Sequence, residues 1–155
     1  MAPERIRRAD RSDLGGVLDL LGELGRPCDA QSPPAVREAA AAIIARPDTE
    51  VLVAELDGRL VGLASLQTLP RLGHATPEAR LLDLIVGEAA RGSGIGRRLV
   101  EAAHERAAAA GCHLIRLECG HARTSQDFYR RLGFESRGED WQLPLDPAPD
   151  RPRPR

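Results

Sequence analysis

The chain has 155 residues, a length that fits one domain and leaves little room for a second. Apolar residues make up 42% and charged residues 29%, enough for a buried core and a hydrated surface, which excludes extended disorder. The net charge is -1, so no overall field favours nucleic acid or an anionic membrane. Lysine is absent, which excludes a phosphate-binding or Schiff-base lysine.

Targeting signals and cysteine spacing give little positive information. No apolar run approaches the roughly 20 residues that cross a bilayer, and the amino terminus lacks the apolar stretch of a secretory signal, so we expect a cytoplasmic protein. The cysteines Cys28, Cys112 and Cys119 show no CxxC spacing, which favours buried thiols over a disulfide framework. Cys119 and His121 are only two candidate ligands, so no metal is predicted.

The first half of the chain predicts a strand, two helices and a hairpin. Residues 5–9 alternate weakly as a strand, and an apolar stripe at helical spacing follows the N-cap candidates between Asp10 and Asp13. The Pro33-Pro34 pair opens a second helix, which Pro47 ends. The Asp57-Gly58 pair between EVLVAEL and RLVGLASLQTL predicts the turn of an antiparallel hairpin.

The second half predicts a parallel crossover. After a loop over residues 70–79, ARLLDLIV is expected to be a strand buried on both faces, and it leads through a Gly-rich turn into a long helix that ends near Gly111. The strand HLIRLEC comes next, and a strand, a helix and a strand of these lengths pair in parallel.

The remaining segments are a short helix and a tail. TSQDFYRRL predicts a helix closed by Gly133, and WQLPL is a candidate for a last strand. We expect one domain over residues 1–146 and a flexible tail rich in proline and arginine over residues 147–155.

The turn Arg91-Gly-Ser-Gly-Ile-Gly96 is a candidate anion site. It lies between a buried strand and a helix start, where backbone N–H groups have no partner within the helix, and glycines let a phosphate approach closely. Arg91 and Arg97 add positive charge. The turn is also compatible with a tight connection that binds nothing.

Two other phosphate-binding folds fit the sequence poorly. A dinucleotide-binding fold needs the glycines near the start of a doubly wound sheet, but here two antiparallel strands precede them and the third glycine comes one residue early. Glu118 falls at a suitable distance, yet too little chain follows it. A P-loop is excluded because no Gly-Lys-Ser/Thr sequence exists.

Two sequence blocks resemble those of a known family. LLDLIVGEAARGSGIGRRLVEAA, followed after a strand by DFYRRLGFE, is similar to the core of the GNAT superfamily of acyl-CoA-dependent N-acyltransferases. The family pattern is an apolar strand, then Arg or Gln three residues before Gly-x-Gly/Ala, and further on a tyrosine closely followed by Gly-Phe. The resemblance is strong over residues 81–135 and weaker over the first 80.

The resemblance implies a fold and a coenzyme. The fold would be α/β (α+β), one domain with a mixed, mainly antiparallel twisted sheet, a splayed central strand pair and about four flanking helices. Acetyl-CoA would be the co-substrate, with its pyrophosphate on the Gly-rich turn, its pantetheine arm between the splayed strands, and a β-bulge aiming a backbone N–H at the thioester oxygen. The residues assigned to the coenzyme are Leu84, Ile85, Val86, Arg91, Gly92, Ser93, Gly94, Ile95, Gly96, Arg97, Ser125 and Tyr129.

The resemblance also implies catalytic residues. Tyr129 matches the tyrosine that protonates the leaving thiolate, although an aromatic packed under its helix is the alternative. Many members have a glutamate base one residue before Asp83, where this chain has Leu82. Asp83, which could instead hold a loop, and Glu118 are therefore the candidate bases, with His74, His121 and water as further options.

A second departure from the family precedes the tyrosine. Many members carry an asparagine where Ala122 stands, so Arg123, Ser125 or Gln126 would contact the coenzyme instead. Trp141 is expected to fill the core, with an acceptor pocket or a dimer contact as alternatives.

The predicted activity is transfer of an acetyl group from acetyl-CoA to a primary amine of a small molecule or peptide, by direct attack in a ternary complex. No nucleic-acid or membrane partner is expected, and a homodimer is left open. The alternatives are a non-catalytic acyl-CoA sensor or partner module, which Leu82 keeps open, and an interaction domain with an unliganded turn.

Overall fold

The computed structural model describes residues 4–119 and 122–138. The contacts divide the chain into two compact units, residues 1–117 and residues 118–155. Trp141, the predicted strand WQLPL and the predicted tail lie outside the described residues.

The first unit contains most of the regular structure. In chain order its elements are β1 (Arg5–Arg8), α1 (Leu14–Glu23), α2 (Pro34–Ile44), β2 (Thr49–Leu56), β3 (Arg59–Leu69), β4 (Glu78–Val86), α3 (Ile95–Ala109) and β5 (Ile115–Leu117), with short 3-10 turns at Arg11–Asp13 and Glu88–Ala90.

The five strands form one sheet in chain order, β1-β2-β3-β4-β5. The first three pairings are antiparallel, and β4 and β5 are parallel across the α3 crossover. The prediction of a mixed, mainly antiparallel sheet is therefore confirmed. At the β2-β3 turn, Asp57 and Gly58 both have positive φ, 50° and 75°. A two-residue turn of this kind needs left-handed backbone at both positions, so the Asp-Gly pair explains the hairpin.

Helices cover both faces of the sheet. Leu63 of β3 and Val53 of β2 belong to an apolar cluster with α1 and α2. Strand side chains alternate between faces, so Gly62 faces the opposite side. A Cβ at Gly62 would lie 3.0 Å from Leu99 Cδ1 and 3.2 Å from Ile95 Cγ2, both on α3. The absence of a side chain at Gly62 thus lets the first turn of α3 pack directly on the sheet.

Three expectations about the strands need correction. Glu78 and Ala79, expected in a loop, are buried and belong to β4. The strand is not buried on both faces, because Arg80 and Leu82 are exposed. The run HLIRLEC pairs only over Ile115–Leu117. An apolar run does not reveal how far the neighbouring strands and helices extend. Their extent decides which side chains of the run are exposed to water.

An ion-pair network fixes the first strand to the sheet. The guanidinium of Arg7 donates to Asp13 Oδ2 at 2.7 Å and to Glu55 Oε2 at 2.8 Å. The Asp13 carboxylate also accepts the backbone N–H of Asp10, which closes a capping box. The hydrogen bonds from Arg7 lower the pKa of Asp13 below its ordinary value.

We expect Asp13→Asn to destabilise the protein by about 1–3 kcal/mol at neutral pH, because a buried charge-assisted pair is lost. Since the pKa of Asp13 is lowered by folding, its contribution is fully present above the unfolded pKa and is lost as pH falls through the folded one. Urea unfolding at pH 7 and pH 3 measures this: the gap between variant and wild type should shrink at pH 3. Asp48→Asn, which breaks an exposed pair with Arg46, is the control and should change stability much less. A gap that is equal at both pH values would contradict the assignment.

The second unit contains α4 (Arg123–Arg131), which matches the predicted helix. It ends in a turn at Gly133, where φ is 89°. Among the described residues, no helix is both long enough and apolar enough to span a membrane.

Candidate active site

Strand β4 changes its pairing midway along its length. Its pairs with β5 end at Leu81 and Leu117, whereas its pairs with β3 continue to Val86. Between the β3 pairs Ser65–Asp83 and Leu66–Leu81, β4 contains one residue more than β3. Leu82 is therefore the extra residue of a β-bulge, located where the pairing with β5 stops. The bulge that the resemblance implied is therefore present, and the pairing between β4 and β5 ends beside it.

The Gly-rich turn after β4 presents unpaired backbone N–H groups. No described residue accepts a hydrogen bond from the N–H groups of residues 92–97, and the first bond of α3 runs from Arg98 N to Gly94 O. Gly92 and Gly94 have φ of 78° and 85°, a conformation that glycine adopts without strain. Consecutive N–H groups at a helix start form a cradle for an anion, to which the helix dipole adds.

Side chains hold this turn in place. Arg91 Nε donates to the carbonyl of Val86 at 3.1 Å, and Ser93 Oγ donates to the carbonyl of Ala90 at 2.6 Å. Arg97, expected to add positive charge to the turn, donates to Glu101 at 2.8 Å along the helix surface. The N–H groups are thus the main groups the turn offers to an anion, and they are ordered in advance.

The three β4 residues assigned to the coenzyme differ in their surroundings. Ile85 is buried in the cluster with α1 and α2, so its side chain serves the core. Leu84 and Val86 pair with Ala64 and Gly62, and they share with Gly62 the face that α3 covers.

Asp83 lies one residue beyond the bulge and has two partners. Its Oδ1 accepts from Arg26 at 2.6 Å, and its Oδ2 accepts from the hydroxyl of Ser65 at 2.6 Å. Arg26 lies in the loop after α1, so Asp83 ties this loop to β4. A carboxylate has about four acceptor sites. Asp83 therefore keeps the capacity to accept from a further donor.

A second carboxylate, Glu78, is buried at the start of β4. It accepts from Arg116 of β5 at 3.0 Å and lies 3.8 Å from Arg71. The hydrogen bond from Arg116 lowers the pKa of Glu78. His113 lies 4.0 Å from Glu78, and His74, a candidate base, stacks on His113 with ring centroids 5.1 Å apart. The sequence did not indicate this cluster, because its residues come from the loop before β4, from β4 and from β5 and meet only in the folded sheet.

The second unit carries the remaining candidates, and Tyr129 is half-buried among aromatic rings. It packs edge-to-face on Phe128 and Phe134, with centroids 5.2 Å and 5.6 Å away. Burial and, to a lesser degree, Cys119 raise the pKa of Tyr129 above its ordinary value. No described residue hydrogen-bonds to its hydroxyl. The phenol is therefore protonated at neutral pH, and no group in the described part of the chain accepts its proton.

The other described candidates in this unit are exposed or half-buried. Ser125 lies in the first turn of α4, where its backbone N–H bonds to Ala122. Arg123 lies 3.9 Å from Asp127, and Gln126 accepts from Arg130. Glu118 is exposed, and His121 lies outside the described residues.

A family model decides the class of this protein. The model of the acetyltransferase (GNAT) family matches residues 17–134, well over half of the chain. The chain belongs to the GNAT family. Among its relatives, glucosamine 6-phosphate N-acetyltransferase of Trypanosoma brucei brucei is 32% identical over 91% of this chain and 94% of its own length. Aminoalkylphosphonate N-acetyltransferase of Salmonella typhimurium is 32% identical over 84% of each chain.

Solved structures agree with this family assignment. The crystal structure of a Trypanosoma brucei acetyltransferase superposes with a TM-score of 0.80 at 28% identity, covering 92% of this chain and all of that one. The protein is therefore an acyltransferase of the GNAT family that transfers acetyl groups, and the resemblance read from the two sequence blocks is confirmed.

Proposed function

We propose that this GNAT protein transfers an acetyl group from acetyl-CoA to a primary amine of a small molecule or peptide, by direct attack in a ternary complex. The observation that carries the proposal is the row of unpaired N–H groups over residues 92–97. A pyrophosphate fits this cradle by charge and by hydrogen-bonding capacity, because the groups are all donors and a Cβ at Gly92 would meet open space.

The open side of β4 would take the rest of the coenzyme. In the described part of the chain, the residues of β4 after Leu81 pair with β3 but not with β5. The backbone N–H and C=O groups on the β5 side of β4 could therefore bind the amide-bearing pantetheine arm. When bound, the coenzyme supplies an activated acetyl thioester. A backbone N–H near the bulge at Leu82 would then stabilise negative charge on the thioester oxygen.

Proton transfers are assigned to two side chains. Tyr129, whose raised pKa keeps it protonated, would give a proton to the leaving thiolate. Asp83 would accept a hydrogen bond from the attacking amine, since its two contacts leave acceptor sites free. Glu118 is a less supported base because it is exposed.

The substrates of two relatives favour one class of acceptor for this protein. Glucosamine 6-phosphate and aminoalkylphosphonates both contain an amino group and a phosphorus oxyanion. A small amine is therefore favoured over a peptide as the acceptor of this protein.

Acetyl-CoA should stabilise the folded protein. At a hundredfold excess over Kd, a ligand bound only by the native state adds about 2.7 kcal/mol, which corresponds to a rise in Tm of about 5–10 °C for a domain of this size. A thermal melt with and without acetyl-CoA measures the shift, and adenosine, which lacks the pyrophosphate, is the control. The absence of a shift at millimolar acetyl-CoA would refute the coenzyme assignment.

Thiol release from acetyl-CoA over a panel of primary amines tests the transfer itself. A stabilising shift without thiol release for any amine would refute the proposed transfer to a primary amine.

A further inference from the structure

The bulge at Leu82 places Asp83 and Arg80 on the same face of the sheet. In a regular strand, residues three apart point to opposite faces. Asp83 pairs with Ser65 and Arg80 pairs with Gln67, however, and these β3 residues are two apart. Cross-strand partners share a face, so Asp83 and Arg80 lie on the face that carries α1 and α2, about 7 Å apart along the strand.

This part of the face is open to an acceptor. Arg80 and Leu82 are exposed, although the same face is covered by α1 further along β4, where Ile85 is buried. The opposite face is closed by α3, against which Leu81 and Ala79 are buried. A molecule that reaches the bulge from the sheet surface therefore approaches beside Arg80.

The local charge is positive although the chain as a whole is slightly negative. Asp83 pairs with Arg26, and Glu78 pairs with Arg116 and Arg71. Arg80 lies next to Arg116 in the β4-β5 register. Among the described residues, none forms an ion pair or hydrogen bond with the side chain of Arg80. We define the arginine patch as Arg26, Arg71, Arg80 and Arg116. Its four positive charges outnumber by two the negative charges of the carboxylates Asp83 and Glu78.

We propose that Arg80 binds the phosphate or phosphonate group of the acceptor, while Asp83 receives its ammonium. This inference rests on the proposed function and specifies its substrate class. A guanidinium offers a planar fork that matches a phosphorus oxyanion, and the surplus of two charges in the arginine patch suits a dianion better than a carboxylate. The short distance between Arg80 and Asp83 requires that one small molecule carry both groups.

Two pairs of amines that differ only in the anion test the proposal. Thiol release is measured with glucosamine 6-phosphate against glucosamine, and with 2-aminoethylphosphonate against ethylamine. We expect kcat/KM to be about 10- to 100-fold higher for the anionic member of each pair, the effect of a charge-assisted hydrogen bond. Arg80→Gln should bring this ratio close to one by raising the KM of the member that carries the phosphate or phosphonate.

The matched control is Arg59→Gln, at an exposed arginine on β3 outside the arginine patch. This variant should keep the wild-type ratio. Equal kcat/KM within both pairs, or an unchanged ratio in Arg80→Gln, would overturn the proposal. The ratio is internal to each protein, so a loss of folded material does not alter it.

A binding measurement separates this proposal from the catalytic one. Calorimetry with 2-aminoethylphosphonate on protein saturated with coenzyme A should show binding to the wild type and at least about tenfold weaker binding to Arg80→Gln. If this holds without thiol release, the transferase proposal fails and the Arg80 site stands. If neither anionic amine binds or reacts, the Arg80 proposal fails, whatever the coenzyme does.

Discussion

Replacing Tyr129 with phenylalanine should lower kcat about tenfold to a thousandfold while leaving the coenzyme affinity almost unchanged. The substitution keeps the ring and its edge-to-face contacts with Phe128 and Phe134. It removes only the hydroxyl, which has no hydrogen-bond partner among the described residues. Folding should therefore be little affected, in contrast to the usual loss when a buried, bonded hydroxyl is removed.

The pH dependence provides a second readout for Tyr129. Because burial raises the pKa of the phenol above its ordinary value, it stays protonated through the neutral range. A fall in kcat caused by ionisation of Tyr129 should thus appear only on the alkaline side, above the ordinary tyrosine pKa of about 10, and it should vanish in the phenylalanine variant. Stopped thiol-release assays across pH, with melting curves on the same preparations, measure both. Wild-type turnover in the variant would return Tyr129 to a packing role.

Replacing Gly92 with aspartate should weaken coenzyme A binding about 10- to 100-fold, because a carboxylate on this turn would repel the pyrophosphate. A Cβ at Gly92 meets open space, so no neighbour has to move. Its φ of 78° is left-handed, a conformation that aspartate tolerates better than most residues.

The matched control for this charge is Gly92→Asn. Asparagine has nearly the same shape and the same tolerance of left-handed backbone, but it carries no charge. Calorimetry with coenzyme A should show a much smaller loss for asparagine than for aspartate. Equal losses would show that the side chain acts by its bulk, and unchanged affinity in both would place the phosphates elsewhere.

The sequence predicts the parts of the fold that depend on local rules. Asp57-Gly58 specifies a turn with two positive φ values, and the structure has them. The Gly-rich stretch predicts a turn between a strand and a helix, which the structure has at Gly92 and Gly94. The strand, helix and strand that include this turn predict a parallel pairing, which β4 and β5 form. Each of these predictions rests on residues close in the chain, where conformational preferences act directly.

The acceptor side of the site could not be predicted in the same way. Arg80 is a charged residue in the run ARLLDLIV. The bulge at Leu82 decides which residues of β4 share a face with Arg80. A bulge is defined by how two strands pair, which the sequence of one strand does not show. The bond between Arg26 and Asp83 joins residues 57 positions apart. Nothing in the local sequence encodes that contact, so the sequence is compatible both with a structural role of Asp83 in holding a loop and with a catalytic role.

The bulge at Leu82 has a consequence for how this strand can be altered. The β3 pairs on either side, Ser65–Asp83 and Leu66–Leu81, are consecutive on β3. The ladder would therefore close with the same partners and the same faces if Leu82 were absent, so Leu82 behaves as an inserted residue that the sheet does not require. Its side chain is exposed, and it adds nothing to the core. An extra residue of this kind bends its strand and is common next to active sites, so we infer that Leu82 serves the site at the end of the β4-β5 pairing rather than the fold.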